Sequence, residues 1–279
     1  MGPIMRPLQL TSADNPRIKS VVKLRDHATR RQTGLLIAEG QREITRAWAA
    51  GLKLREVYDC PQLTRGRQPA WEVLLPDKER RAASQWYELT EPLLRKIAYK
   101  DKPEGAIAIF EQPTWTWDQL KAQSGKPALY LVAVGMAKPG NLGAMARCAA
   151  GAGFDALLVA DGVVDAFNPN AIRASTGAVF GLPILGADSA SVRQFLQQQK
   201  VAMYAASPHA LQDYTQVDMK GPTALVIGAE DTGLDDAWLS AGTQVAIPMS
   251  NQWVDSLNAS VAAGVLMFEA VRQRRLSQR

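Results

Sequence analysis

The chain has 279 residues, of which 47% are hydrophobic and 7% aromatic, a composition typical of a globular protein with one or two domains. Its apolar runs are shorter than a membrane span and its N-terminus lacks a secretory apolar segment, so we expect a cytoplasmic protein with no membrane partner. Two cysteines, Cys60 and Cys148, exclude a disulfide framework. With only His27 and His209 besides, we expect no metal.

The formal net charge of +5 is unevenly distributed. Residues 1–105 hold 20 Lys and Arg against 13 Asp and Glu, whereas the remaining residues hold 12 against 14. A basic part joined to a near-neutral part is typical of a module that binds a polyanion and precedes a catalytic module. The alternative is an Arg-rich surface that only faces solvent.

The first part of the chain predicts a small α+β domain at 1–110. Asn15 and Pro16 are typical of a helix start and indicate a helix over 15–24. A second helix over 42–50 ends at Gly51, and apolar runs predict strands over 35–40, 54–58 and 106–110. Residues 111–126 contain Pro, Gly and Ser and predict a linker.

A regular pattern follows over 127–279 and defines the second predicted domain. Apolar runs predict strands over 129–134, 156–160, 201–205, 224–227 and 244–247. Helices are predicted over 142–150, 169–178, 190–199, 235–240 and 257–275. Strands without polar alternation, separated by helices, indicate an α/β fold with a mainly parallel sheet covered on both faces. Ligands of such sheets bind beyond the carboxyl ends of the strands, which directs attention to the loops there.

The loop over 135–147 combines glycines with a helix start, a pattern that lets a backbone approach an anionic ligand. It matches neither the phosphate-binding P-loop nor the dinucleotide fingerprint. Asn141 and Arg147 are its candidate functional residues. The alternative is that Asn141 caps the helix and Arg147 lies exposed about one and a half turns further on.

Two later loops carry further candidates. In the loop over 225–234, Glu230 lies between Gly228 and Gly233. It is a candidate general base, cation ligand or helix-entry charge. The alternative is that the loop only starts a helix, which Asp231 or Thr232 caps. The loop over 247–260 has the composition of a small-molecule pocket rim, with polar side chains arranged around Trp253. These polar residues are Asn251, Gln252, Asp255, Ser256 and Asn258. Alternatively, Asp255 or Ser256 only caps the helix that follows.

A segment over 167–178 adds Arg173, whose guanidinium is suited to binding a phosphate. By these physical arguments alone, the function of the four loops stays open.

Taken together and in order, the loops resemble the motifs of the SpoU (TrmH) branch of the SPOUT RNA methyltransferases. Asn141, Gly143 and Arg147 match its Asn-x-Gly-x-x-x-Arg motif. The second motif, Gly-x-Glu-x-x-Gly, matches Gly228, Glu230 and Gly233. The third motif matches Ile247, Pro248, Met249, Ser256, Leu257 and Asn258. The similarity covers about 128–275, and residues 1–110 resemble the small RNA-binding domain of the ribosomal-RNA members.

The resemblance implies a trefoil-knotted α/β domain, a homodimer, and methyl transfer from S-adenosyl-L-methionine to a ribose 2′-hydroxyl of RNA. It places the cofactor against Gly228, Ile247, Met249 and Leu257. The residues implied around the hydroxyl and the methyl donor are Asn141, Arg147, Glu230, Ser256 and Asn258. The lead-in over 137–140 is similar to that of members that modify 23S ribosomal RNA and confer antibiotic resistance.

A guanidinium stays protonated, so our hypothesis is that Arg147 orients the ribose and stabilises negative charge on its oxygen. A phosphate or Glu230 then takes the proton. The leading interpretation is a 23S ribosomal RNA 2′-O-methyltransferase. The alternatives are a transfer RNA 2′-O-methyltransferase and a non-catalytic RNA-binding protein of the same fold. A Rossmann-type methyltransferase is less favoured because the glycine-rich fingerprint is missing.

Overall fold

The computed structural model describes residues 7–64, 85–121, 125–162, 164–251 and 253–277. It consists of two compact units. The first comprises Met1–Pro113 with Phe167–Gly181, and the second Thr114–Ala166 with Leu182–Arg279. Three residues of the predicted linker, 122–124, and the predicted loop residue Gln252 lie outside the described residues.

The first unit contains a mixed five-stranded sheet among its described residues. Its strands are β1 (Leu8–Leu10), β2 (Leu35–Glu39), β3 (Leu54–Asp59), β4 (Gln85–Leu89) and β5 (Ala106–Glu111). Its helices are α1 (Pro16–Lys23), α2 (His27–Thr33), α3 (Gln41–Ala49), α4 (Pro61–Thr64) and α5 (Glu91–Ile97). A later segment of the chain, Pro169–Ala174, adds one more helix to this unit. The strand order is β1-β4-β3-β5-β2, with β1 and β3 parallel to β4, and β5 antiparallel to β2 and β3.

The core of this unit is formed where the apolar faces of the helices cover the sheet. Ile18 of α1 and Leu94 of α5 are fully buried against Tyr58 and Ile107 of the strands. The predicted α+β pattern is confirmed for its two helices and three strands, and Asn15 caps α1 by accepting a hydrogen bond from the Arg17 N–H at 2.9 Å. Helix α2 was not predicted because its one buried residue, Arg30, gives it no apolar periodicity.

The second unit contains a six-stranded sheet among its described residues, and every strand pairing in it is parallel. Its strands are β6 (Leu129–Val134), β7 (Ala156–Ala160), β8 (Ile184–Ala187), β9 (Ala202–Ala206), β10 (Thr223–Ile227) and β11 (Thr243–Val245). The helices from this part of the chain are α6 (Pro139–Ala152), α7 (Pro169–Ala174, in the first unit), α8 (Ser189–Gln198), α9 (Asp236–Leu239) and α10 (Ala259–Leu276). The strand order is β11-β9-β10-β6-β7-β8. The prediction of a mainly parallel α/β sheet is confirmed.

Burial on both faces explains why the central strands lack polar alternation. All residues of β6, β7 and β10 are buried, and helix side chains close over both sides of this layer. Strand β8 was missed because it is short, partly exposed and placed at the sheet edge. The helix predicted over 169–178 ends at Ala174 because Thr176 and Gly177 have left-handed backbone conformations.

The end of helix α10 is fixed by one guanidinium. Arg274 donates hydrogen bonds to the carbonyl oxygens of Met219 at 3.1 Å, Pro127 at 2.6 Å and Ala128 at 3.0 Å, and also to Gly221. These carbonyls precede β6 and β10, so Arg274 ties the last helix to the entry side of the two central strands. None of the described helices combines the length and the apolar composition that a membrane crossing requires.

Candidate active site

Parallel strand pairing brings two of the predicted loops to one edge of the second unit's sheet. Ala133 near the end of β6 pairs with Ile227 at the end of β10. The loop that leads into α6 and the loop that carries Glu230 therefore leave the sheet side by side. The chain after β11 leaves at the same edge, because Val245 at the end of β11 pairs in parallel with Ala206 at the end of β9.

Gly228 allows the Glu230 loop to fold back on itself. A Cβ atom at this position would lie 2.3 Å from the carbonyl carbon of Gly233 and 2.4 Å from its oxygen, which no side chain tolerates. The Gly233 N–H donates to the Ala229 oxygen at 2.9 Å and closes a tight turn. The turn projects Glu230 from the end of β10.

Three of the predicted site residues meet in one hydrogen-bond network. The Asn141 Nδ2 donates to Glu230 Oε1 at 3.1 Å, and the Asn258 Nδ2 donates to Asn141 Oδ1 at 3.3 Å and also to Glu230 Oε1. Lys138 completes the network through an ion pair with Glu230 Oε2. Residues from three separate segments of the chain thus converge on one carboxylate.

Lys138 was not predicted as a site residue. The available signal was its place in the glycine-rich lead-in, three residues before Asn141. A surface lysine in a loop is ordinary, however, and its partner Glu230 lies 92 residues further along the chain. Only the pairing of β6 with β10 brings the two side chains together.

The network favours the charged forms of both ionisable groups. The hydrogen bond from Lys138, followed by that from Asn141, lowers the pKa of the Glu230 carboxyl below its ordinary value. The same carboxylate raises the pKa of the Lys138 ammonium. At neutral pH the site therefore holds a carboxylate whose oxygens are already engaged by donors.

Helix caps differ from those considered in the sequence. Asn258, and neither Asp255 nor Ser256, caps α10: its Oδ1 accepts from the backbone N–H groups of Ser260 at 3.0 Å and Val261 at 3.4 Å. The predicted start of this helix at residue 257 is therefore two residues early. Asn258 is at once a helix cap and a member of the network.

The other two caps also differ. Asn141 does not cap α6, because the helix begins at Pro139 after the cap position Lys138, and Asn141 lies within its first turn. Neither Asp231 nor Thr232 begins a helix, since α9 starts after Asp235, whose side chain accepts from the Trp238 N–H at 2.9 Å. The side-chain amide of Asn141 therefore does not cap a helix and takes part in the network instead.

Two predicted catalytic residues stay outside the network. Arg147 is exposed on α6, six residues after Asn141, which places it about 9 Å further along the helix and on another face. Ser256 is exposed in the loop before α10. Within the described part of the chain, neither side chain forms a hydrogen bond or an ion pair.

The loop over 247–258 is more open than its composition indicated. The prediction that polar residues surround Trp253 is wrong, because that side chain is 86% exposed. Asn251 makes a local turn by accepting from the Trp253 N–H at 3.0 Å. The preceding strand β11 ends at Val245, two residues before the predicted end.

The positions predicted for a cofactor have a consistent character. Gly228, Ile247, Met249 and Leu257 are all half-buried beside the network loops. Their backbone N–H groups donate no hydrogen bond to any residue that the structure describes. Unused donors next to apolar side chains suit a planar heterocycle with polar edges. In the described ranges, no group of three or more His, Cys, Asp or Glu is placed to hold a metal.

The chain is similar to known proteins over most of its length. Residues 128–268 match the SpoU rRNA Methylase family, and residues 15–108 match the MRM3-like substrate binding domain. An uncharacterized tRNA/rRNA methyltransferase of Synechocystis is 30% identical, over 95% of this chain and 94% of that protein. The 23S rRNA (guanosine(2553)-2′-O)-methyltransferase RlmP of Bacillus subtilis is 27% identical, over 93% of this chain and 98% of that protein.

Solved structures show the same fold. The SpoU methyltransferase AviRb from Streptomyces viridochromogenes, in complex with the cofactor AdoMet, superimposes with a TM-score of 0.83. It is 28% identical, and the alignment covers 95% of this chain and all of that one. The parallel sheet of the second unit thus belongs to a methyltransferase fold. The chain belongs to the SpoU rRNA methylase family.

Proposed function

We propose that the protein transfers a methyl group from S-adenosylmethionine to a ribose 2′-hydroxyl of 23S ribosomal RNA. The observation that carries this proposal is the network of Asn141, Glu230 and Asn258, because one residue from each of three family motifs takes part. The substrate is supported by the 23S rRNA specificity in the name of the Bacillus subtilis relative. The cofactor is supported by the AdoMet complex of AviRb.

Gly228, Ile247, Met249 and Leu257 hold the cofactor through their unused N–H groups and through the three apolar side chains among them. When bound, S-adenosylmethionine supplies an electrophilic sulfonium methyl group. The chain's own task is then to position the ribose hydroxyl and to stabilise charge on its oxygen.

Arg147 and Ser256 are exposed and free of internal partners in the described residues, so both are available to RNA. The Arg147 guanidinium stays protonated, which suits it to orienting the ribose and stabilising negative charge on the 2′-oxygen. Both oxygens of Glu230 already accept hydrogen bonds from the chain's own donors, which directs the carboxylate towards Lys138, Asn141 and Asn258. We therefore assign it the role of fixing Asn141 and Asn258, and we assign proton removal to a substrate phosphate.

A methylation assay with wild-type protein, 23S ribosomal RNA and transfer RNA tests the proposal. The expected product is a 23S RNA in which one ribose resists alkaline hydrolysis. Arg147→Ala should abolish methylation while calorimetry shows nearly unchanged S-adenosylmethionine affinity. Methylation of transfer RNA alone would favour the alternative substrate, and a failure to bind S-adenosylmethionine would favour a non-catalytic RNA-binding protein.

The proposal includes a homodimer. Helix α10 buries Ala263, Leu266 and Ala270 but exposes Val261 and Phe268, which are 51% and 52% accessible. The exposed pair is seven residues apart and therefore shares one face of the helix, which Leu276 extends. An exposed apolar stripe of this kind is typical of an interface, and a second copy of the chain would cover it symmetrically.

We also propose the domain limits 1–110 and 127–279 with a linker between them, supported by the ranges of the two family matches. These limits follow the order of the chain, whereas the compact units assign Phe167–Gly181 to the first unit. A trefoil knot in the second domain is supported by α10, which packs against both α6 and β10 after the chain has left the sheet edge at β11. A cytoplasmic location is part of the proposal and is supported by the ribosomal RNA substrate named for the relatives.

A further inference from the structure

The positive charge of the first unit is concentrated in one helical corner, which consists of α1, α2 and the turn between them. Residues 16–33 hold six Lys and Arg but a single acid, Asp26. This segment therefore supplies five of the seven excess positive charges of residues 1–105. The uneven charge distribution of the sequence has a definite location in the fold.

Elsewhere in the described part of the first unit, glutamates neutralise many of the cations. The ion pairs are Arg42–Glu43, Lys53–Glu111, Arg55–Glu111, Arg95–Glu91 and Lys100–Glu104. Ion-paired cations attract a polyanion weakly because their partners cancel much of their field. Within the corner itself, Arg17 pairs with Glu56 and Lys19 pairs with Asp14. The cations of the corner that no described acid outside it neutralises therefore lie over residues 23–31.

The corner is held in a fixed shape. The Arg30 guanidinium is buried and donates to the carbonyl oxygens of Leu24 at 2.8 Å and Arg25 at 2.7 Å. Asp26 caps α2 by accepting from the Thr29 N–H at 2.9 Å, and its own N–H donates to the Lys23 oxygen at 3.0 Å. The one acid of the segment is thus used locally, within the helix start.

Three basic side chains remain exposed on this scaffold. Lys23, His27 and Arg31 follow one another at intervals of four residues, and His27 and Arg31 lie on one face of α2. None of the three side chains forms a hydrogen bond or an ion pair with a residue of the described ranges. These side chains are therefore available to donate hydrogen bonds to a ligand. The backbone that carries them is held in place by the contacts of Arg30 and Asp26.

We propose that Lys23, His27 and Arg31 bind successive phosphates of the RNA substrate; this inference rests on the proposed function. Such contacts fix the position of RNA without reading its sequence, and they release condensed counterions. Replacement of Lys23 and Arg31 by neutral residues should therefore weaken RNA binding and reduce the dependence of the affinity on salt concentration. Each lost phosphate contact lowers the slope of log affinity against log salt concentration by about 0.7 to 0.9.

The test measures the affinity of the full chain for a 23S ribosomal RNA fragment at several salt concentrations. The double variant Lys23→Met/Arg31→Met should reduce the slope by roughly 1.5 and weaken binding more than about tenfold at 0.1 M salt. The matched control Lys19→Met/Arg95→Met removes the same charge from cations already paired with Asp14 and Glu91. It should change the slope by less than about 0.5.

Equal effects of the two double variants, or no effect of the first, would overturn the proposed surface. The charge-preserving variant Lys23→Arg/Arg31→Lys should retain the slope, and urea unfolding should show that all variants are folded. S-adenosylmethionine affinity, measured by calorimetry, should be the same in all of them. Failure of the wild-type protein to methylate any RNA would instead refute the proposed function.

Discussion

Glu230 is the residue on which the candidate site depends. It accepts hydrogen bonds from Asn141 and Asn258 and pairs with Lys138, so its charge orders side chains from three segments. A charged acceptor strengthens such bonds relative to a neutral one. Protonation of this carboxyl would weaken the ion pair and turn one acceptor oxygen into a donor.

Lys138 favours the charged form of Glu230. Its hydrogen bond is the largest cause of the lowered Glu230 pKa, so the carboxylate is maintained above that lowered value and lost as the pH falls through it. Lys138→Met moves the Glu230 pKa back towards its ordinary value. We expect the acid limb of the kcat/KM profile for methylation to shift to higher pH in this variant.

The comparison needs two further variants. Lys138→Arg preserves the positive charge and should restore most of the wild-type profile. Lys126→Met removes an exposed lysine that forms no ion pair with any described residue, and it should leave the profile unchanged. An acid limb that stays in place in Lys138→Met would show that Lys138 does not act through Glu230.

At the scale of elements, the site is built at the ends of secondary-structure elements: the segment after β6, the turn after β10 and the residue immediately before α10. Each end has backbone groups that a neighbouring side chain must satisfy. Asn258 meets this need with its oxygen and serves the network with its nitrogen. Asn258 therefore meets two demands: a structural one, as the cap of α10, and a functional one, as a member of the network.

The two demands can be separated by substitution. Asn258→Asp keeps an oxygen for the cap but loses the Nδ2 donor and places a second carboxylate beside Glu230. We expect wild-type stability in urea but a loss of methylation of at least about 100-fold, the scale of a lost positioning contact. Asn258→Ala should lose methylation and also about 1 kcal/mol of stability, because the cap itself is removed.

Asn168 provides the matched control, since it caps α7 by accepting from the Asn170 N–H at 2.9 Å and belongs to no predicted catalytic motif. Asn168→Asp should leave stability and methylation close to wild type. Methylation at the wild-type rate by Asn258→Asp would show that Asn258 is a cap alone.

At the scale of the whole molecule, helix α10 serves two surfaces. Its buried side packs on α6 and β10, and Arg274 fixes its end through four backbone carbonyls. Its exposed side carries the apolar stripe of Val261 and Phe268. The helix is thus anchored within its own chain and leaves an apolar face exposed, which the proposed dimer would cover.

Phe268→Glu should convert the proposed dimer to a monomer, because a charge at the centre of an apolar interface is left without a partner. Sedimentation velocity would detect the change. Leu211→Glu is the control, since Leu211 is fully exposed but lies outside α10. A wild-type protein that sediments as a monomer would contradict the dimer proposal directly.

The sequence by itself determined the parallel sheet, the two-part charge distribution and the motif residues Asn141, Glu230 and Asn258. Burial on both faces of a strand removes polar alternation, and this effect is local and readable along the chain. Helix caps were less readable, because Ser, Asp and Asn all suit the cap position and three of them precede α10 within four residues.

Only the tertiary structure decided which of these residues act together. The ion pair of Lys138 with Glu230 joins positions 92 residues apart, and the contacts of Arg274 with the entry to β6 join positions 146 and 147 apart. Such contacts depend on strand order and register, which are set by packing across the whole sheet. No local pattern of apolar and polar residues encodes them, so Lys138 emerged as a site residue only from the fold.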